Sequence, residues 1–217
     1  MKKLVSLALA AVLAISAVGC GSSSDSSSST ADSAQSTEAA ADGATFKIGG
    51  IGPITGGAAI YGQAVMNAAQ MAVDKINADG GINGYQVEFR FEDDEHDAEK
   101  SVNAYNTLKD WGMQMLMGTV TSTPCTAVSA KTEEDNMFQL TPSGSAVESI
   151  APANAFRVCF SDPNQGTASA QYIGENKLAN KVAVIYNSSD VYSSGIYQTF
   201  ATEAANQGFE IVAAEAF

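Results

Sequence analysis

Basic residues and histidine are scarce in this 217-residue chain and one hydrolase motif is missing, and each of these absences argues against a class of function. There are 11 Lys and Arg against 24 Asp and Glu, a formal charge of −13. This argues against nucleic-acid binding, which needs basic patches. The single histidine, His96, has no second imidazole with which to share a zinc ion. No G-x-S-x-G segment, the nucleophile motif of α/β-hydrolases, occurs in the chain. None of these shortages specifies a ligand.

A long apolar run is also missing. The apolar stretch within residues 1–19 is shorter than the ~20 residues of a membrane-spanning helix. It follows Lys2 and Lys3 and ends in small residues, which is typical of an export signal. The segment AVGC at 17–20 resembles a bacterial lipoprotein cleavage box. We therefore expect Cys20 to carry lipid and to anchor the protein to the membrane on its extracytoplasmic side, without spanning the membrane.

Residues 20–45 are rich in Ser, Ala and Asp, and after Cys20 they contain no apolar side chain larger than Ala. Such a segment cannot bury enough surface to fold, which predicts a flexible tether. Without Lys2 and Lys3, 9 basic residues face 24 acidic ones, a net −15. About 170 residues remain, enough for one domain or parts of two. Cys125 and Cys159 could pair in an oxidising compartment, but two unpaired, mostly buried thiols are favoured.

Strand-like and helix-like segments alternate from residue 46 onwards. The predicted strands are 46–53, 85–92, 113–118, 137–142, 155–160, 181–187 and 208–217. The predicted helices begin near residues 61, 97, 123, 165 and 193. This order predicts an α/β fold with doubly wound, mainly parallel sheets. Ligands of such sheets bind beyond the carboxyl ends of the strands, so the site is expected there.

Two details of the helices follow from local pattern. In the first helix Tyr61, Val65, Ala68, Ala72 and Ile76 recur at three- and four-residue steps and are expected to form the buried face. In the third, Thr123 before Pro124 indicates an N-cap followed by proline at the first helical position.

Hydroxyl residues gather at two of the strand ends, in LMGTVTSTPCTAVS (116–129) and TPSGSAVES (141–149). A catalytic serine, an ordinary helix cap and a ligand-binding loop all remain open for the first of these segments. Helix N-termini with adjacent hydroxyls suit a carboxylate ligand. A nucleotide loop at 49–57 is disfavoured because its third glycine is replaced by Thr55. The acidic segment at 92–97 is best interpreted as a solvated turn rather than a metal site.

The motifs in this order resemble the leucine/isoleucine/valine-binding proteins of bacterial ABC transporters. The likeness extends over residues 46–217 and is carried by the following segments: IGPITGGAAIYG (51–62), INADGGINGYQVEFRFEDDEHDAEKSV (76–102), LMGTVTSTPCTAVS (116–129), LTPSGSAVE (140–148), FRVCFSDPNQGTASAQYI (156–173) and KVAVIYNSSDVYSSG (181–195). The resemblance implies a two-lobed fold whose lobes close over a ligand. It places the first lobe at 46–162 and the start of the second at 163–217.

The resemblance also implies roles for three serines. Ser122 matches the residue whose hydroxyl and N–H hold the α-carboxylate of the ligand. Ser143 matches the position whose carbonyl accepts the α-amino group. Ser145 matches a threonine that contacts both ends of the amino acid.

Four further positions match the pocket wall of the family. Tyr61 and Tyr192 correspond to aromatics from the two different lobes, and Val120 and Thr121 to residues on the same wall. The family's disulfide joins the positions that are His96 and Thr121 here, so that bond is absent. The family's acidic partner for the amine and a further tyrosine fall beyond residue 217, so we expect an N-terminal fragment that binds weakly or not at all.

The expected function is therefore a lipid-anchored solute receptor, not an enzyme. It would deliver a small amino acid, branched-chain or similarly apolar, to ABC permease subunits as a monomer without cofactor or metal. The sensor domain of a signalling receptor is the alternative, and a transmembrane helix downstream would favour it. A serine hydrolase using Ser122 and His96 is less favoured.

Overall fold

The computed structural model describes residues 43–217, so the predicted export signal, the lipid site at Cys20 and the tether up to residue 42 lie outside the described residues. The elements are β1 Thr45–Gly52, α1 Ala59–Ala78, β2 Gln86–Asp93, α2 Ala98–Asp110, β3 Met115–Gly118, α3 Ser122–Glu134, β4 Gln139–Thr141, a 3-10 turn Val147–Ile150, β5 Ala155–Arg157, α4 Asp162–Glu175, β6 Lys181–Tyr186, α5 Val191–Gln207 and β7 Glu210–Ala216. The predicted tether included Thr45, which belongs to β1. None of these helices combines the length and the hydropathy that a bilayer-spanning segment requires.

The strands form two parallel sheets. The first has the order β2-β1-β3-β4-β5, and β6 pairs with β7 in the second. Every pairing between these strands is parallel. The predicted α/β fold with mainly parallel sheets is therefore confirmed. We call residues 43–161 the five-stranded region and residues 162–217 the two-stranded region.

The core of the five-stranded region lies between its sheet and the helices α2 and α3. Right-handed crossovers place these two helices on one face and α1 on the other, because the connection from β1 to β2 runs across the sheet in one direction and the connections from β2 to β5 run in the opposite direction. The apolar side chains of this core are Ile51, Ala104, Tyr105, Leu108, Met113, Leu116 and Val128. Asp97 caps α2, as its position in the sequence suggested, by accepting the Lys100 N–H at 2.8 Å.

The buried face predicted for α1 is wrong by a small rotation of the helix. Tyr61, Ala68 and Ala72 are exposed, whereas Gly62 and Val73 are the buried residues. A side chain at Gly62 would overlap the Pro53 carbonyl oxygen. This close approach of helix to loop fixes which face turns inward, and apolar periodicity alone does not reveal it.

The two-stranded region has a core on one side of its sheet only. Ala170, Phe200, Ala204 and Phe209 form that core between β6–β7 and the helix pair α4–α5. On β6, half-buried and exposed residues alternate, and Ile185 is 76% exposed. The other face of this sheet is thus open within residues 43–217.

The amino edge of the five-stranded sheet carries the single tryptophan of the chain. Lys47, near the start of β1, holds its ammonium group 5.1 Å from the centre of the Trp111 ring. The same group donates to the Trp111 carbonyl oxygen at 3.1 Å. Trp111 also packs against the core cluster, so the indole is fixed at this edge.

Candidate functional site

A cleft of about 470 Å³ opens at the carboxyl edge of the five-stranded sheet. The residues that line it follow the ends of six strands, and they are Ala58, Tyr61, His96, Val120, Thr121, Ser122, Ser143, Ser145, Cys159, Phe160, Asp190 and Tyr192. The crevice lies where the strand order reverses around β1, which is where such sheets bind ligands. All seven residues that the sequence nominated line this one cleft. Their contacts with a ligand stay predictions.

A second concavity, of about 360 Å³, lies between β6 and α5. It is more open than the cleft, and its lining is dominated by aliphatic and aromatic side chains such as Val182, Ile185 and Tyr197. Its hydroxyls, those of Ser193 and of tyrosines, come from β6 and α5 alone, whereas in the cleft hydroxyls converge from separate loops. A specific polar ligand needs such convergent groups, so the cleft is the candidate site.

The start of α3 differs from the prediction. The helix begins at Ser122 with Thr121 at the N-cap position, and Thr121 makes no capping hydrogen bond. Thr123 is therefore not the cap; its hydroxyl donates to Asp190 Oδ1 at 3.1 Å. Because the helix starts earlier, Pro124 is its third residue. A backbone N–H at that position would have no intrahelical acceptor, so the proline costs no hydrogen bond.

Ser122 joins the two hydroxyl-bearing loops. Its Oγ accepts the backbone N–H of Ser145 at 3.1 Å and that of Ala146 at 3.2 Å. Ser143 Oγ donates to the Val120 carbonyl oxygen at 2.6 Å. The Ser145 N–H, which the resemblance assigns to the ligand, is thus already paired. The hydroxyl proton of Ser122, by contrast, is not used by these two bonds and can be donated.

His96 and Ser122 do not form a nucleophile–base pair. His96 Nδ1 lies 2.9 Å from Thr121 Oγ1 instead. The Ser122 oxygen already accepts the two N–H groups, an arrangement that holds a loop and does not activate a nucleophile. The two positions at which the resemblance places a disulfide are therefore in contact here, through a hydrogen bond.

Two buried carboxyl groups flank the cleft. Asp94 is fully buried, and burial raises its pKa to about 6, with the charges of Asp93 and Asp97 adding to the effect and the His96 N–H opposing it. Asp94 Oδ1 accepts that N–H at 2.9 Å, while Oδ2 has no partner in residues 43–217. Asp162 is 1% exposed, and burial raises its pKa as well. Neither of its oxygens has a hydrogen-bond partner of standard geometry within the described part, although the nearby Ser145 side chain and the Arg157 charge oppose the rise in pKa.

Neither metal clusters nor disulfides occur in the described part of the chain. No group of three or more His, Cys, Asp or Glu side chains is placed to hold a metal ion there, the acidic segment 92–97 included. Cys125 is a buried free thiol and Cys159 a half-buried one. Burial raises the pKa of the Cys159 thiol, so it is a weak nucleophile on the cleft wall.

The sequence did not nominate five of the lining residues, which are Ala58, His96, Cys159, Phe160 and Asp190. Each stands within a few residues of a predicted strand end. The strand-end rule already covered Ala58 and Asp190, which follow the first and sixth predicted strands, and it could have found the other three had it been applied to the second and fifth strands.

Comparison with known proteins places the chain among solute-binding proteins. The family model described as periplasmic binding protein matches residues 45–217. The Leu/Ile/Val-binding protein homolog 3 of Brucella melitensis is 34% identical over 172 residues, which are 78% of this chain and 46% of the relative. The leucine-, isoleucine-, valine-, threonine- and alanine-binding protein of Pseudomonas aeruginosa is 30% identical over 178 residues, 81% of this chain and 47% of the relative.

A solved structure agrees with these matches. The branched-chain amino acid transporter substrate binding protein LivJ from Streptococcus pneumoniae, in complex with isoleucine, superposes with a TM-score of 0.74 at 30% identity. The match covers 80% of this chain and 49% of that one. The chain thus spans about half the length of the relatives it matches, and its second lobe is incomplete by comparison with them.

Proposed function

The chain belongs to the periplasmic binding protein family, and on this premise we propose that it is an extracytoplasmic receptor for a small amino acid with an apolar side chain. The observation that carries the proposal is the single cleft lined by all seven nominated residues. Two relatives named for leucine, isoleucine and valine, and a neighbour holding isoleucine, support the ligand class. Delivery to an ABC permease is part of the same proposal.

The cleft offers partners for the carboxylate and for the apolar side chain of an amino acid. The first N–H groups of α3 and the Ser122 hydroxyl suit a carboxylate, because a helix N-terminus carries partial positive charge. Tyr61 and Tyr192 are 64% and 39% exposed and offer aromatic surface to an apolar side chain. Hydrogen bonding and closure of the cleft are all that such a receptor needs, so no covalent step is proposed.

The positions of the lining residues support a closure of the cleft over the ligand, which is part of the proposal. Most belong to the five-stranded region, while Asp190 and Tyr192 belong to the two-stranded region. A ligand that touches both regions favours the arrangement in which they approach each other. We further propose a lipid anchor on Cys20 and a monomeric state, on the sequence pattern alone. Replacing Cys20 by Ser should release the protein from the membrane fraction.

A solute titration followed by NMR tests the proposal on the chain itself. We expect L-leucine, L-isoleucine or L-valine to shift the backbone amide signals of Ser122 and Ser145 with a Kd of roughly 1–10 mM, a free energy near −3 to −4 kcal/mol. Ser122→Ala should weaken binding. Ser129→Ala is the matched control, because that buried serine bonds the Thr126 carbonyl oxygen on the same helix. Absence of any shift across a broad panel of amino acids, amides and aromatic acids, both for this chain and for a version extended to the full length of its relatives, would refute the proposal.

A further inference from the structure

His96 is the one residue of the cleft lining that can carry a positive charge. The twelve lining residues include no lysine or arginine, and Asp190 is their only carboxylate. His96 follows the end of β2 and reaches the start of α3. The resemblance gives it no role beyond occupying a disulfide position. A carboxylate ligand in this cleft would therefore meet one imidazole ring, which has an N–H to donate in either protonation state.

The imidazole ring is fixed through Thr121. Its Nδ1 lies 2.9 Å from the Thr121 hydroxyl oxygen. Thr121 does not use that hydroxyl to cap α3, although it occupies the N-cap position. When the Thr121 hydroxyl donates to Nδ1, the neutral ring must carry its proton on Nε2. Nε2 is then a hydrogen-bond donor. The ring that carries it is bound to Thr121, the residue that directly precedes Ser122.

The backbone that carries the ring is strained and firmly held. Glu95 and His96 both have positive φ, 49° and 63°, and neither is glycine. Such conformations cost roughly 1–3 kcal/mol each and persist only where surrounding contacts impose them. Here the fully buried Asp94 imposes them by accepting the His96 N–H at 2.9 Å. The turn thus presents the imidazole at a defined place on the cleft wall.

We propose that His96 is a ligand-contacting residue that selects solutes with a free carboxylate, donating Nε2–H to the carboxylate that Ser122 also binds. This rests on the proposed function and narrows its substrate class. A neutral amide cannot exploit the donor as well, because hydrogen bonds to charged acceptors are about twice as strong as neutral ones. The Thr121 hydroxyl acts as a positioning group for the ring.

The test compares L-leucine with L-leucinamide, which lacks the carboxylate. We expect the chain to prefer leucine and His96→Asn to reduce that preference about tenfold, mainly by weakening leucine. Asparagine is chosen because it tolerates positive φ, so the turn should survive. Glu95→Asn is the matched control. It alters the neighbouring strained residue of the same turn, and Glu95 does not line the cleft, so the preference should stay unchanged.

The Thr121 hydroxyl provides a second route. Thr121→Val keeps the histidine but releases the ring, and should lose part of the preference, while Thr121→Ser should retain it. If the chain binds leucine and His96→Asn keeps the full preference, the role of His96 is wrong. If circular dichroism shows that His96→Asn is unfolded, the Thr121→Val variant decides. An unchanged preference for leucine in that variant overturns the proposed role of His96. Failure of both the parent chain and a version extended to the full length of its relatives to bind any solute overturns the proposed function itself, a result distinguishable from the other two.

Discussion

The five-stranded and two-stranded regions share parallel strands and flanking helices but differ in how completely their sheets are covered. The first sheet has helices on both faces and a core of large side chains such as Tyr105 and Leu108. The second sheet is packed on one face, and Ile185 on the other face is 76% exposed. Parallel sheets are normally buried on both faces, and two strands alone are marginally stable.

This difference indicates which wall of the candidate site is rigid. Ser122 begins α3, and Ser143 and Ser145 lie on the loop after β4, all in the well-covered region, and their hydrogen bonds tie these two segments together. Asp190 and Tyr192 stand on the sparsely covered region. We infer that one wall of the cleft is preformed and that the other can open locally, since local stability follows buried apolar contact.

The largest expected effect separates the two cores. Leu108→Ala should cost about 2–5 kcal/mol of unfolding free energy, because its side chain is fully buried in the five-stranded region. Phe200→Ala removes a larger group from the core of the two-stranded region but should open that region alone. Urea unfolding followed by circular dichroism, with hydrogen exchange of the β6 amides, measures both. Comparable loss of protection in β1 from the two variants would show that the regions unfold as one unit.

The buried acids give a pH test of the same contrast. Folding raises the pKa of Asp94 from 3.8 to about 6, so the folded chain binds this proton more tightly than the unfolded chain. Its contribution to stability is therefore full below about pH 4 and is lost as the pH rises through 6, by up to about 3 kcal/mol. Asp94→Asn should remove this slope and unfold at higher urea than the parent at pH 7.

Asp162→Asn is the counterpart in the two-stranded region. Burial raises the Asp162 pKa too, so the sign is the same. We expect its effect to appear mainly in hydrogen exchange of α4 and α5, since that region opens separately. Parallel pH profiles for the parent and Asp94→Asn would contradict the burial of an unpaired charge at Asp94.

Helix packing within the two-stranded region has one vulnerable point. A methyl group at Gly166 would overlap Thr199 Oγ1 and the Ile196 carbonyl oxygen, so Gly166→Ala must push α4 away from α5. Overpacking of this kind costs about 1–3 kcal/mol, although alanine favours a helix by about 1 kcal/mol. Gly62→Ala should instead displace α1 in the five-stranded region. A stabilised Gly166→Ala variant in thermal unfolding would show that the two helices are not closely packed.

The smallest expected effect lies at the contact between the regions. The Thr123 hydroxyl donates to Asp190 across 67 residues of sequence, so Thr123→Val should cost about 0.5–1.5 kcal/mol. Thr126→Val on the same helix is the control. The Thr126 hydroxyl is buried without a partner among residues 43–217, and its removal should be neutral or stabilising. Equal melting temperatures for the two variants would mean that the contact does not stabilise the folded chain.

Much of the fold could be predicted because it depends on local pattern. Each predicted strand overlaps an observed one, and the alternation with helices gave the parallel sheets. The strand-end rule then located the cleft without any side-chain geometry. The family resemblance supplied the roles of Ser122, Ser143 and Ser145, which stay predictions.

The errors share a cause in contacts between distant segments. Thr123 was assigned as a cap because proline follows it, yet its hydroxyl is bound by Asp190. His96 does lie in the exposed turn that was predicted, but the hydrogen bond of its ring to Thr121, 25 residues later, was not predicted. The inward face of α1 is set by Gly62 against Pro53. Secondary-structure propensity depends on residues that are neighbours in the sequence, so it does not predict these long-range contacts.

The Lys47–Trp111 pair gives the protein a built-in optical reporter. The only indole of the chain is held under an ammonium group at the amino edge of the sheet, and it is not part of the cleft lining. Its emission should therefore follow loss of structure in the five-stranded region and change little when a solute enters at the carboxyl edge. An emission assay would monitor denaturation of this protein well, whereas detecting a ligand that way would require a dye or a tryptophan introduced near Tyr192.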